Sequence, residues 1–528
     1  MTDRSVLIIG AGVGGLSAGC YAQMNGYRTR ILEMYARPGG VCTSWTREDY
    51  IFDGCVHNLA GTSPDSRFRP MWRELGVLPR IRMHRFDELV SIERPDGPPF
   101  TVYTDLNRLQ AHMKRLSLGD GDHIDELIST ARWFSGFDIM GLSLAPPLER
   151  ATALVRAAPM LLKWGALTLE TYARRYRDPF LRRALPTMIY DWPDQSMLTA
   201  LYFLGRASVG DLGWPQGGAQ ELSEAIADRF EVLGGEVQYQ SRVQSILVEQ
   251  GRAVGVRLDD GREARADIVI SNANGFETIF GMLGGRHTTP AIRAHYAAPL
   301  DRCEMGLHVS LGLARDLSEE PHAIVLPLDP PVEIAGERRE RLYVEPFGFD
   351  STLAPQGKSP LKVVLATSFR RWEELSRRPD AYAAEKARIA DVVIALLDAR
   401  FPGLTQQLEV VDVATPATTL RFTRNGRGYR TSVVGAMLSL LAGRRLSETL
   451  PGLRNFHMVG QWAGAPGIPM VAAMGRDVVR RMCRADGRAF RTAPEAPGSG
   501  ARGPAPAGPT GSPSSRSSWS GSRPSRPG

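Results

Sequence analysis

The chain has 528 residues, 43% hydrophobic and 23% charged, the balance of a folded protein with room for more than one structural unit. That composition excludes wholesale disorder, collagen and coiled coil, and no apolar run reaches the roughly 18 residues a membrane span needs. The net charge of +7 is skewed to one end: residues 496–528 hold four arginines and no acid, leaving about +3 elsewhere and no basic footprint for nucleic acid.

The predicted elements begin at once, with Asp3 and Arg4 leading straight into an apolar run and no signal peptide. Ser5–Ile9 reads as a strand buried on both faces. Gly14–Asn25 has helical spacing, with Leu16, Cys20 and Met24 on one face, and Gly26 ends it. Arg28–Glu33 is a second strand, which completes a βαβ unit. Short strands are expected at Leu89–Glu93 and Phe100–Tyr103, and helices at Asp125–Phe134 and Ala151–Tyr176, the latter kinked at Pro159. After the turn Pro215-Gln216-Gly217-Gly218, a helix is expected over Gln220–Leu233 and strands over Glu236–Tyr239, Val243–Glu249, Ala253–Leu258 and Ala266–Ser271. Cys303–Leu313 and Leu361–Ser368 read as further strands and Ala384–Arg400 as a helix. Phe456–Val459 is a late strand, followed by a Gly/Pro loop and a helix over Val471–Met482. Beyond about Thr492 the chain is Pro, Gly, Ser, Ala and Arg, and is expected to be disordered.

Chemistry concentrates first in Gly10-Ala11-Gly12-Val13-Gly14-Gly15, a GxGxxG pattern between a strand and a helix. Gly10 permits the turn, Gly12 lets backbone N–H groups approach a pyrophosphate, and Gly15 lets helix and strand pack closely. The helix N-terminus offers unpaired donors to the phosphates. Glu33 closes the second strand, where a carboxylate accepts from ribose hydroxyls. No second such turn follows a strand; Gly426-Arg427-Gly428 lies in a basic, strandless stretch. The cysteines (Cys20, Cys42, Cys55, Cys303, Cys483) form no CxxC and the histidines no HExxH, so neither disulfides nor a metal site is expected, and a cytoplasmic setting fits.

Leu32-Glu33, five residues and then Gly39-Gly40 resembles the flavin amine oxidase superfamily, where the double glycine passes under the cofactor. Phe52-Asp53-Gly54-Cys55-Val56-His57 is similar to the phytoene desaturase, carotenoid isomerase and retinol saturase branch. Pro215–Gly218, Val243 and Asp267–Ala273 resemble that branch's second cofactor segment. Asn455–Trp462 with Pro466-Gly467-Ile468-Pro469 and Gly475-Arg476 resembles its closing flavin motif, with fewer glycines than the family usually has. Together the turn and the resemblance imply FAD held by Gly10, Gly12, Val13, Gly14, Gly15, Glu33, Arg37, Gly39, Gly40, Val41, Val243, Gly460, Gln461, Gly467, Ile468 and Pro469. A helix starting near Pro469 would present its positive end to the flavin ring.

The implied fold is α/β: a discontinuous Rossmann-like FAD-binding domain (residues 1–84, 213–285 and 425–490), an α+β substrate domain (85–212 and 286–424) and a tail (491–528). The implied reaction is hydride transfer between flavin and an apolar polyene or isoprenoid-type substrate, by desaturation, saturation or isomerisation, with oxygen or a quinone as external electron acceptor. A flavin amine oxidase and a non-catalytic FAD-binding interaction module are the alternatives. His57 is the candidate catalytic residue, with a purely structural role as the other reading. Arg421–Arg430 is a solvated basic loop or a contact for an acidic substrate group. The apolar, aromatic and basic residues of Ala151–Tyr176 suit a lid over a substrate tunnel, the preferred reading, or a helix peripheral at the membrane surface.

Overall fold

Strand β1 (Ser5–Ile9) is buried over Val6–Ile9, because parallel neighbours flank it and helices cover both faces. A computed structural model supplies this and all further geometry, and it describes residues 4–191, 195–297, 304–425, 448–463 and 467–493. Helix α1 (Val13–Met24) leads to β2 (Arg28–Leu32), and β3 (Ser44–Arg47) pairs with β4 (Tyr50–Asp53) as a hairpin. Next come β5 (Glu88–Ile92), β6 (Phe100–Tyr103), and helices α2 (Leu106–Leu116), α3 (Gly121–Ser135), α4 (Pro147–Gly165), α5 (Leu169–Ala173) and α6 (Met197–Ser208). Strand β7 (Leu212–Pro215) and helix α7 (Gly218–Val232) return the chain to β8 (Glu236–Gln238), which pairs with β2. An antiparallel meander β9 (Val243–Glu249), β10 (Arg252–Leu258) and β11 (Glu263–Arg265) precedes β12 (Ile268–Ser271). Then follow β13 (Glu304–Leu313), β14 (Ile324–Ile334), β15 (Glu337–Pro346), β16 (Ser359–Ser368), α8 (Pro379–Arg400), β17 (Leu408–Ala414), α9 (Pro416–Thr423), β18 (Phe456–Met458) and α10 (Ile468–Ala485).

Among the described residues the strands form a five-stranded parallel sheet, β8-β2-β1-β12-β18, and a seven-stranded mixed sheet, β17-β13-β16-β15-β14-β5-β6. The parallel sheet draws strands from distant parts of the chain, with Val6 opposite both Thr29 and Ile268. This is an α/β, Rossmann-like fold. Helix α1 is buried from Val13 to Ala22 because α7 and α10 close over it. Glycines allow that approach: a Cβ on Gly19 would stand 2.9 Å from the Phe230 ring, and one on Gly475 2.6 Å from the Gly14 carbonyl. Ser17 Oγ donates to the Ala472 carbonyl at 2.7 Å, tying α1 to α10. The seven-stranded sheet buries Leu307, Val309, Leu311, Leu361 and Val363 against α8, while α2–α6 build a second core over Phe100, Val102 and Tyr343.

The expected single helix over Ala151–Tyr176 is replaced by two. Pro159 lies inside α4 without ending it; the break falls at Ala166–Thr168, where Thr168 Oγ1 caps α5 by accepting from Thr171 N at 3.1 Å. Strands β14 and β15 were not expected, and β14 contains Pro327, Pro330 and Pro331, which cannot donate to a ladder. Pro327 stays in register opposite Arg341, and a register shift between Pro327 and Val332 takes Pro330 and Pro331 out of the ladder. The basic stretch Gly426–Arg430 and the tail beyond Ala493 lie outside the described residues.

Candidate functional site

The turn between β1 and α1 opens into a cleft of about 560 Å³ at the carboxyl end of the parallel sheet, where α/β folds bind ligands. Gly10 sits at φ +94°, a left-handed conformation that glycine adopts without Cβ strain, and its N–H donates to Leu32 O at 2.8 Å. A Cβ on Gly12 would stand 2.6 Å from Asn272 Nδ2, and one on Gly14 2.7 Å from Asn272 Oδ1. A Cβ on Gly15 would strike the Gly10 carbonyl. Gly39 pairs beside Gly12, with its N–H donating to Ala11 O at 2.9 Å, so the double glycine runs along the turn.

Glu33 ends up buried, 6% exposed, at the edge of this cleft. Its carboxylate accepts from Ala11 N at 2.7 Å and from Tyr35 N at 2.8 Å. Burial raises its pKa, against the lowering effect of those N–H groups. The carboxylate thus links the phosphate turn to the end of β2, with lone pairs left for a ribose.

Of the residues expected to hold FAD, all but Gly15 and Pro469 line the cleft. Gly15 works one layer deeper, at the helix–strand contact, and Pro469 is buried in the first turn of α10. Gly467 and Ile468 bring the α10 N-terminus to the cleft wall. Arg37 lines the cleft with its guanidinium engaged by Glu224 Oε1 at 2.6 Å. Residues Gly464–Pro466, within the segment where the glycines depart from the family pattern, lie outside the described residues.

His57 does not line the cleft. Its Nδ1 meets Glu345 Oε1, and its ring lies 4.7 Å from that of Tyr190. Glu345 and Lys362 face each other across β15 and β16, 3.1 Å apart and 5% and 1% exposed, and Lys362 Nζ donates to Asp53 O at 2.9 Å. Although burial works to raise it, the Glu345 pKa is held below the usual carboxylate range by the His57 and Lys362 charges.

Several cleft residues were not among those expected to hold FAD. Asn272 and Asn274 follow β12, and their signal was available: β12 is parallel to β1, so the residues after it must reach the same end of the sheet. His308, on β13, lines the cleft with Nδ1 buried and unpartnered among the described residues. Burial and then the Lys362 charge push its pKa down to about 3, so it is neutral at physiological pH. Asp412 accepts from Trp45 Nε1 at 3.0 Å and Arg47 Nε at 2.8 Å, joining the β3–β4 hairpin to the large sheet. Thr418, Thr419, Phe422 and Arg424 come from α9 and its cap.

The cleft fits FAD on its own geometry: glycines with no room for a side chain, helix N-termini at two walls and a buried carboxylate beside the turn. Such a frame, closed by a helix from the far end of the chain, defines an FAD-dependent oxidoreductase. The family described as flavin containing amine oxidoreductase matches residues 13–275. Prolycopene isomerase from Arabidopsis thaliana is 26% identical over 467 residues, 80% of this chain and 73% of that protein. The neurosporene-forming phytoene desaturase of Rhodobacter capsulatus is 28% identical over 443 residues, 78% and 81% of the two chains. Putrescine oxidase with bound putrescine superposes with a TM-score of 0.55 at 16% identity, over 91% of this chain and 99% of that one, which shows a shared fold. The chain belongs to the flavin amine oxidase superfamily, in the branch of phytoene desaturases, carotenoid isomerases and retinol saturases.

Proposed function

We propose that this flavoprotein transfers hydride between FAD and an apolar polyene or isoprenoid-type substrate, by desaturation, saturation or isomerisation. The observation that carries this reading is the match, across about four fifths of the chain, to proteins named for polyene chemistry. Bound FAD supplies the ring that accepts or donates the hydride, and oxygen or a quinone is the external electron acceptor.

The chain's own residues bind, orient and exclude water. Gly10, Gly12, Val13, Gly14, Gly39 and Gly40 hold the diphosphate, Glu33 the ribose and the Val243 backbone the adenine, while Gly460, Gln461, Gly467 and Ile468 bound the ring. The cofactor part comprises residues 1–84, 213–285 and 425–490, with the substrate part between them. Neutral His308 gives the cleft wall a polar atom without a charge that would repel a hydrocarbon. His57, held through Nδ1 by Glu345 and away from the cleft, takes the structural role.

We also place a membrane contact on α4. Leu148, Val155 and Leu162 are each at least 75% exposed and recur at seven-residue spacing, with Arg156 beside them. An apolar substrate dissolved in a bilayer would enter from that side. No helix of the described residues is long and apolar enough to cross a membrane.

Anaerobic mixing of the flavin-loaded protein with a panel of polyenes and amines, followed by chromatography of products, tests the substrate class. A changed polyene supports it; conversion of a simple amine alone contradicts it.

A further inference from the structure

Helix α9 leaves the seven-stranded sheet at Ala414 and runs along the cleft that the parallel sheet opens. Both of its ends are fixed. At the start, Thr415 and Thr418 form a reciprocal capping box, and Tyr382 of α8 shares a hydrogen bond with the Thr415 hydroxyl at 2.7 Å. At the end, buried Asn425 accepts from Asn274 Nδ2 at 3.3 Å. Asn274 lies two residues beyond Asn272, the side chain against the phosphate turn. The helix therefore bridges the two sheets across the cleft.

One face of α9 turns into the cleft: Thr418, Thr419, Phe422 and Thr423, at the spacing of neighbouring helical positions. Phe422 meets Tyr35 edge to face, with centroids 5.4 Å apart. Tyr35 donates its N–H to the Glu33 carboxylate at 2.8 Å, so the aromatic pair lies beside the ribose site.

Charge points the same way. Four arginines line the cleft, and two are committed: Arg37 to Glu224 at 2.6 Å and Arg47 to Asp412 at 2.8 Å. Arg242 and Arg424 have no carboxylate partner among the described residues. Arg424 caps α9 at φ +54°, a left-handed conformation costly for a residue with a Cβ, and its N–H donates to Leu420 O at 2.9 Å. An unpaired guanidinium facing a diphosphate site is complementary to two negative charges.

We propose that α9 is a clasp on the AMP half of FAD, with Arg424 pairing to the diphosphate and Phe422, backed by Tyr35, covering the ribose and adenine. The proposal rests on reading the cleft as the FAD site. It assigns retention of the cofactor to a segment attached to the substrate sheet, so the two halves of the molecule hold FAD jointly.

The test uses the full chain, freed of flavin and reloaded, with FAD affinity and release followed by flavin fluorescence. Both clasp side chains are exposed, so their replacement removes no core packing. Arg424→Gln should weaken FAD on the order of tenfold or more, with the loss shrinking at high salt and partly recovered in Arg424→Lys. Phe422→Ala should speed release about tenfold and leave association nearly unchanged. As a competitor of FAD uptake, ADP should weaken in Arg424→Gln while adenosine competes equally with both proteins. Wild-type affinity and release in both variants would overturn the clasp and leave the FAD site standing. Wild-type protein that takes up no FAD would instead overturn the reading of the cleft.

Discussion

At the scale of single residues, the phosphate turn has no spare volume. Gly12→Val would push a branched side chain into the Asn272 carboxamide, where even a Cβ stands 2.6 Å from Nδ2. Protein purified with this change should carry no flavin absorbance while keeping its circular dichroism. Glu33→Ala removes the acceptor for two backbone N–H groups and, on the proposed reading of the cleft, for the ribose; it should weaken FAD by about 1–3 kcal/mol, read by fluorescence titration. The buried Glu345–Lys362 pair makes a pH-dependent prediction. Glu345 has a depressed pKa in the fold, so its contribution is full above the ordinary carboxylate pKa of about 4.3 and is lost as pH falls through the lower folded value. Lys362→Met should cost about 3–5 kcal/mol at neutral pH in denaturant melts, and the deficit should narrow in acid. Glycines and Glu33 were legible in the sequence because their positions along the chain carry the mechanism. His308, Lys362 and Glu345 were not, because only strand register brings them together.

At the scale of elements, regular periodicity was readable and interruption was not. The βαβ unit, α7 and α10 follow their apolar spacing, with ends shifted by a few residues. Pro159 lies inside α4, which continues through it, and the helix ends instead at the unforeseen break over Ala166–Thr168. In β14 an offset in pairing absorbs Pro330 and Pro331, which no apolar spacing announces. The exposed stripe of α4 bears its own prediction. Val155→Glu with Leu162→Glu should leave flavin content and melting temperature unchanged, because both side chains are at least 75% exposed. The same pair should sharply reduce co-sedimentation with anionic liposomes; unchanged binding would remove α4 as the contact.

At the scale of the whole molecule, one parallel sheet is assembled from strands near residues 5, 28, 236, 268 and 456, which no local pattern can announce. The family resemblance supplied that assembly, since its motifs lie at the ends of these strands. The large mixed sheet had no such guide, and only β13, β16, β5 and the edge strand β6 were foreseen. Cofactor binding is thus the best-marked property of this chain, and substrate is marked by kinship. The most direct measurement is product analysis in cells that accumulate several polyene precursors and express the chain or its Gly12→Val variant. The account predicts that one precursor changes, by two hydrogens or in double-bond geometry, with the intact chain and with no flavin-free variant. Flavin-loaded protein that leaves every polyene untouched would contradict it.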